Sequence, residues 1–147
     1  MDNQQKTVLT WALIVGVSSI AIYKFKDSLF GPSFNPTDLN VIAKVWNENP
    51  SNHQKYTYTI HYLDAQDIAQ LIYKEFGVFK TNFTNVFALF QQCKTQGDIF
   101  LVVDAFFANY NVNLWSSLVN GFGLYPGSGL SSSELKNLNT YVLSLPL

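Results

Sequence analysis

The sequence contains no arginine and few charged residues of any kind. Lysine supplies all nine basic side chains, charged residues make up only 13% of the 147 positions, and the formal net charge is −1. Nucleic-acid-binding proteins carry a basic surface, often with arginines that contact phosphate or guanine. A nucleic-acid partner is therefore not expected. Hydrophobic residues reach 48%, so the chain has enough apolar side chains to form a folded core.

Cysteine and histidine are also scarce, which limits metal and covalent chemistry. Cys93 is the single cysteine, so an internal disulfide and a multi-cysteine zinc site are excluded. The two histidines, His53 and His61, have no acidic residue at the spacing of metal ligands. Neither a serine-nucleophile motif nor a phosphate-binding loop occurs. We therefore predict no catalytic residue, no metal and no cofactor, and we expect Cys93 on an apolar helix face in the core.

The carboxylates leave one enzymatic alternative open. A glycoside hydrolase needs two carboxylates in one cleft, and Glu75 and Asp104 lie on predicted helices with polar or aromatic neighbours. Small phage and bacterial muramidases are helical and of similar size. A peptidoglycan-degrading enzyme that uses this pair is the enzymatic alternative, whereas the main expectation places both residues on solvated helix faces.

An uncharged apolar run covers residues 7–23. As a helix it would be about 25 Å long, which is the short end of what crosses a bilayer. It is apolar on every side, whereas a surface helix of a soluble protein is apolar on one stripe. We predict a single-pass membrane anchor over residues 1–26, and its membrane-facing side chains are Val8, Leu9, Trp11, Leu13, Ile14, Val15, Val17, Ile20, Ile22 and Tyr23.

Two other interpretations of this run stay open. One is a cleaved signal peptide, because small residues flank Ile20 at Ser19 and Ala21. The other is a buried helix of the core. Lysines near the two ends of the run slightly favour the cytoplasmic side, or the interior of a virus particle, for the larger C-terminal part.

The remainder of the chain has a helical pattern. Residues 27–36 contain one glycine and two prolines and are predicted to be a linker. Residues 37–147 form the predicted helical domain, which opens with a helix over 36–47. Residues 56–62 alternate like a strand, but no partner strand is visible elsewhere, so we expect an extended approach to the next helix.

Five further helices follow from residue 64 onwards. The apolar spacing places them after Asp64 and as far as Phe76, after Thr81 or Asn82, after Gly97, at 114–119, and after Ser131–Ser133 as far as Leu145. Asp64 is the expected first cap, and Gly77 the expected left-handed end of that helix. The helix after Gly97 is the most apolar, and we predict that it is the central one.

Residues 64–145 resemble a single annexin-type repeat, a module of five helices. The matching segments are DIAQLIYKEFG, a loop with Thr81, FQQCKTQGD, IFLVVDAFFANY and NVNLWSSL. The resemblance implies the five-helix fold, and annexins combine four such repeats in calcium-dependent membrane binding. Here the loop over Gly77–Thr81 contains Phe79 and Lys80, and no acidic residue lies between 105 and 133. A calcium site is therefore not expected, because calcium needs six to eight oxygen ligands.

The predicted protein is thus all-α, with an N-terminal transmembrane helix and a bundle of about five to six helices. Asn and Gln total 22 residues, and such a weakly charged surface favours association with other proteins. Tyr56, Tyr58 and Tyr62 form a candidate contact strip. We expect a membrane-anchored structural or adaptor protein that tethers a protein assembly of a capsid or envelope to a bilayer. The composition suits a minor virion membrane protein of a lipid-containing bacteriophage, or a bacterial inner-membrane protein. A lipid-surface-binding module is the second alternative.

Overall fold

The computed structural model describes residues 35–37, 42–47, 55–122 and 127–147. The chain divides into two units, residues 1–34 and Asn35–Leu147. All described residues belong to the second unit. The predicted anchor lies outside the described residues, as do His53 and most of the linker.

The described part contains a short 3-10 helix, Lys44–Trp46, and five α-helices. The helices are α1 (Tyr62–Lys74), α2 (Phe83–Phe90), α3 (Gln96–Tyr110), α4 (Leu114–Asn120) and α5 (Ser132–Ser144). No strand occurs in these ranges, so the all-α class is confirmed. In the same part of the chain, none of the helices has both the length and the hydropathy needed to cross a bilayer.

Polar caps determine where the helices begin. The Asn82 side chain accepts a hydrogen bond from the backbone N–H of Asn85 (3.3 Å), and Asn113 accepts one from Ser116 (3.0 Å). Ser131 and Glu134 form a reciprocal cap at α5, in which the Ser131 N–H donates to the Glu134 carboxylate at 2.8 Å. These side chains satisfy backbone donors that have no partner inside the helix. The predicted caps of α2 and α5 are therefore confirmed.

Two predicted details of α1 are wrong. The helix begins at Tyr62 rather than after Asp64, and Asp64 accepts a hydrogen bond from the His61 backbone N–H at 3.0 Å from within the first turn. The helix ends at Lys74, and Gly77 is not in the left-handed region. A β-carbon at Gly77 would lie 2.6 Å from the carbonyl oxygen of Lys80, so the glycine is needed for a close backbone approach.

The helix α3 is central, as predicted. It packs against α1, α4, α5 and the 3-10 helix. Its buried side chains project on almost every side and include Ile99, Phe100, Val102, Val103, Ala105 and Phe106. Such burial all round is typical of a helix that other helices enclose.

The predicted continuous helix over 36–47 is wrong. Asn35 accepts hydrogen bonds from the Thr37 N–H and hydroxyl in a turn. Ala43 is extended, with φ −63° and ψ 138°, so only Lys44–Trp46 is helical at the end of this segment. The end of the segment at Trp46 is fixed by tertiary packing instead, because Trp46 stacks on Trp115 with ring centroids 4.9 Å apart.

Candidate contact surface

The carboxylate of Asp98 holds the segment before α1 against the start of α3. It accepts hydrogen bonds from the Thr59 N–H (2.6 Å), the Thr59 hydroxyl (2.5 Å) and the Ile60 N–H (3.2 Å). It also accepts from the backbone N–H groups of Lys94 and Thr95. Asp98 has no exposed surface, and a buried carboxylate is tolerated only when it is paired in this way. One side chain therefore joins two segments that are far apart in the chain.

These hydrogen bonds control the ionisation of Asp98. Burial opposes the charged form, but the hydrogen bonds from Thr59, Lys94 and Ile60 outweigh it and lower the pKa of Asp98 below its ordinary value. The ionised form also lies in the first turn of α3, where the helix dipole favours negative charge. The Asp98 carboxylate is thus a stable acceptor for the segment that carries the predicted tyrosines.

Backbone contacts bring this segment still closer to α3. The Thr95 hydroxyl donates to the carbonyl oxygen of Thr57 at 2.5 Å. A β-carbon at Gly97 would lie 2.3 Å from the same oxygen and 3.0 Å from the β-carbon of Tyr56. Glycine is therefore the only residue that allows the two backbones to approach so closely. This fixed segment displays the alternating residues that the sequence pattern singled out.

The three predicted contact tyrosines do not share one role. Tyr56 is half-buried and stacks on Phe100, with ring centroids 6.0 Å apart. Tyr58 and Tyr62 are exposed, and Leu63 beside them has 72% of its surface accessible. The structure thus places Tyr56 against the core and leaves Tyr58, Tyr62 and Leu63 as an exposed apolar group, which we call the tyrosine surface.

The surroundings of Tyr62 and Tyr56 shift the pKa of both phenols. Burial, and then the charge of Asp104, raise the pKa of the Tyr62 phenol. Burial, and then Tyr58, raise the pKa of Tyr56. Both phenols are therefore neutral at physiological pH, and the exposed Tyr62 can serve as a hydrogen-bonding group at a protein interface.

The two carboxylates of the enzymatic alternative have different neighbours. Glu75 follows the end of α1 and accepts a hydrogen bond from the Asn85 side-chain amide at 3.0 Å. Asp104 lies in the middle of α3, and the phenol that feels its charge is Tyr62 at the start of α1. The two ends of α1 are about 20 Å apart at 1.5 Å per residue. The neighbours of the two carboxylates therefore lie at opposite ends of one helix.

The loop over Gly77–Thr81 is held by side-chain contacts and carries an apolar tip. The Thr81 N–H and hydroxyl both donate to the carbonyl oxygen of Ser128 at 2.8 Å. Lys80 pairs with Glu134 at 2.9 Å. At the tip, Phe79 has 94% of its surface exposed, and Val78 beside it is also exposed. The loop presents apolar side chains rather than oxygen ligands.

The remaining candidates for chemistry are a buried cysteine and an exposed histidine. Cys93 is buried, and burial raises the pKa of its thiol to about 12, so it is not a nucleophile at neutral pH. His61 is exposed and precedes the first residue of α1. Within the described ranges, no group of three or more His, Cys, Asp or Glu side chains is placed to hold a metal.

The sequence pattern did not single out Leu63 of the tyrosine surface, nor the buried Asp98 side chain that holds the segment before α1. Leu63 lies next to Tyr62, yet its exposure depends on which face of α1 packs on α3. Asp98 follows Gly97 at a predicted helix start, but its hydrogen bonds to Thr59 and Ile60 span almost forty positions of the sequence. The sequence signal for this contact is the Gly97-Asp98 pair together with the distant alternating Thr/Tyr segment over 56–62. A Gly-Asp pair fits many helix starts equally well.

Comparison of the chain with protein-family models, with curated proteins and with solved structures gave no match.

Proposed function

We propose that the protein is a membrane-anchored adaptor whose helical unit holds a protein partner at a lipid bilayer, in a virion membrane or a bacterial envelope. The observation that carries the proposal is the tyrosine surface. Its residues are exposed, whereas the segment that carries Tyr58 donates three hydrogen bonds to Asp98, from Thr59 and Ile60. A rigid aromatic surface binds a partner at low cost in conformational entropy.

The membrane part of the proposal is supported by the uncharged run over 7–23. In a first experiment, two glutamates replace Leu13 and Val17 in the full chain, and membranes are extracted with alkaline carbonate. Each charge near the centre of a span costs about 3 kcal/mol, so we expect the variant to leave the membrane and the wild type to stay.

The matched control puts the same two charges outside the apolar run, with Asn3→Glu and Gln5→Glu. This control should remain in the membrane fraction. Release of the wild type by carbonate would contradict the anchor. So would a mature chain whose mass shows cleavage after Ala21, because the run would then be a signal peptide.

The contact part is tested with a photo-crosslinking amino acid at position 58 or 62 of the full chain in its native membrane. We expect a discrete adduct with another protein from either position. The control position is Asn137, which is exposed on α5 and should give none. Equal labelling from all three positions would show that the tyrosine surface has no particular partner.

The proposal takes from the annexin resemblance only the arrangement of helices and not calcium-dependent membrane binding. The tip of the loop over Gly77–Thr81 offers Val78 and Phe79, so the proposed membrane attachment depends on the N-terminal run and not on calcium. Binding of the full-length Leu13→Glu/Val17→Glu chain to liposomes only when calcium is added would favour the lipid-surface alternative. Degradation of peptidoglycan that is lost in Glu75→Gln would favour the muramidase.

A further inference from the structure

The outer side of α1 carries exposed residues with a regular helical spacing. Its inner side is buried on the core through Ala65, Ile68, Ala69 and Ile72. On the opposite side, an exposed stripe runs along the helix axis, because residues spaced by three or four positions share one face. The stripe, which we call the outer stripe, consists of Leu63, Asp67, Gln70 and Lys74.

Exposed apolar side chains are concentrated at α1 and its two ends. Leu63 lies at the beginning of the outer stripe, and Leu71 lies at its edge near the middle. Val78 and Phe79 follow the end of the helix, and Tyr62 starts it. Exposed apolar residues grouped in this way mark an interaction surface, whereas scattered ones need no explanation.

The exposed residues of α1 and its two ends are arranged so that the surface complements a second copy lying antiparallel to it. If two α1 helices cross antiparallel at Gln70 and Leu71, Asp67 of one copy faces Lys74 of the other. Because of the two-fold symmetry, this charge pair occurs twice in the dimer. Leu63 at the start of one copy then lies at the same end of the pair as the last turn of the other copy, which Val78 and Phe79 follow. A surface that complements itself about a two-fold axis is what a symmetric dimer requires.

The charges of the stripe favour this arrangement. Asp67 and Lys74 are exposed, and the one ion pair within the described residues joins Lys80 to Glu134 instead. Seven positions separate Asp67 from Lys74, which is too far for them to pair along one helix. In a parallel pairing in register, equal charges would face each other and repel. The antiparallel pairing puts opposite charges together at both places.

We propose that the outer stripe of α1 is the interface of a symmetric antiparallel dimer, with a second copy of this chain as its occupant. The helix is about 20 Å long, so the buried area is below the roughly 800 Å² per partner of a standard stable interface. The dimer is therefore weak in solution. Anchoring both copies in one bilayer would raise their effective concentration, although the interface itself does not depend on the anchor. The outer stripe shares Leu63 with the tyrosine surface, whereas Tyr58 belongs to the tyrosine surface alone.

Crosslinking of the full chain in membranes tests the geometry directly. Gln70→Cys places a thiol beside the two-fold axis, where facing helices at 8–10 Å bring β-carbons within disulfide reach. The native Cys93 is buried and does not compete. Under mild oxidation we expect a disulfide-linked dimer at position 70, formed at least about tenfold faster than at Asn137→Cys, an exposed position on α5.

Charge reversal tests the pairing. In the Gln70→Cys chain, Asp67→Lys or Lys74→Asp brings equal charges together, and we expect each to slow crosslinking about tenfold, which corresponds to roughly 1.4 kcal/mol. The double reversal exchanges the two signs and should restore the rate. Circular dichroism checks that the variants are folded.

Equal crosslinking at positions 70 and 137, or a double reversal as slow as the single ones, would overturn the dimer. The failure of the dimer is distinguishable from a failure of the proposed adaptor. Carbonate extraction reports the anchor alone, and an adduct at twice the 16.6 kDa mass of the chain reports self-association rather than a second protein.

Discussion

At the residue scale, Asp98 holds the segment that carries Tyr58 against the start of α3. Its carboxylate is buried and accepts five hydrogen bonds from Thr59, Ile60, Lys94 and Thr95. An asparagine at this position has the same shape but presents an amide donor towards groups that are themselves donors. Buried donors that lose their acceptor each cost about 1–3 kcal/mol.

Asp98→Asn is therefore expected to lower the free energy of unfolding by about 3 kcal/mol. The measurement is urea denaturation at pH 7 for the full chain in detergent. Asp67→Asn is the matched control, because Asp67 is exposed on α1, and its effect should stay within about 0.5 kcal/mol. Similar effects of the two substitutions would contradict the role of Asp98.

The same carboxylate predicts a pH dependence. The pKa of Asp98 is lowered in the folded state, so its ionised form stabilises the folded state. This contribution is complete above the unfolded value of about 3.9 and is lost as the pH falls through the lower folded pKa. The stability difference between wild type and Asp98→Asn should shrink below about pH 4. A stability difference between the two proteins that stays constant from pH 7 to pH 3 would contradict a stabilising role of the ionised Asp98.

Cys93 is predicted to be unreactive in the folded protein. Burial raises the pKa of its thiol to about 12, and the Tyr141 hydroxyl donates to its carbonyl oxygen at 3.1 Å. Since the thiolate is the reactive form, Ellman's reagent at pH 8 should react at least about a hundredfold more slowly than with a free thiol. Denaturant should restore the full rate, and rapid reaction of the native chain would show that Cys93 is accessible.

At the element scale, Gly97 determines how closely α3 can approach the segment over 56–60. Glycine inside a helix usually costs about 1 kcal/mol relative to alanine, so Gly97→Ala would be stabilising if the helix were isolated. Here the added β-carbon would meet the Thr57 carbonyl oxygen at 2.3 Å. Steric overlap in a packed position costs about 1–3 kcal/mol, which exceeds the gain in propensity.

Gly97→Ala is expected to destabilise the chain by about 2 kcal/mol and to loosen the tyrosine surface. Hydrogen exchange should show faster exchange of the Thr59 and Ile60 amides, which donate to Asp98. Gly127→Ala is the control. The substitution introduces backbone strain at φ +88°, but the added β-carbon has no atom within 4 Å. Faster exchange at Thr59 in that control as well would point to general destabilisation instead.

At the scale of the whole molecule, Asn139 joins the first and last parts of the helical unit. Its side-chain oxygen accepts hydrogen bonds from the Ala43 N–H (2.9 Å) and from the Trp46 indole N–H (3.0 Å). These partners precede it by more than ninety residues. Trp46 in turn packs on Phe90 and Trp115, so one amide orients the indole that fills the centre of the unit.

Asn139→Ala is expected to lower the free energy of unfolding by about 2–4 kcal/mol, because two buried donors lose their acceptor. Thermal unfolding measures the effect, and tryptophan fluorescence should shift as Trp46 loses its fixed position. Asn137→Ala is the matched control on the exposed side of α5, with an expected change within about 0.5 kcal/mol. If both variants unfold at the same temperature as the wild type, the hydrogen bonds of Asn139 do not stabilise the helical unit.

Local sequence determined the class of the protein and most of its helices. Apolar spacing located α1 to α5, and Asn82 and Ser131 were recognisable as caps. These features depend on interactions between residues a few positions apart, which is why a pattern of neighbours is enough to predict them. The same local rules failed at Gly77, where the chain makes a close backbone approach, and over 36–47, where tertiary packing of Trp46 holds the end of the segment.

Only the tertiary structure decided which of these residues can meet a partner. The alternating segment over 56–62 could not show that Tyr56 stacks on Phe100 whereas Tyr58 and Tyr62 face outwards. That division depends on Asp98, almost forty positions away, and on the face that α1 turns towards α3. The physical reason is that burial and buried hydrogen bonds arise between segments that the chain path brings together, and local spacing contains no information about that path.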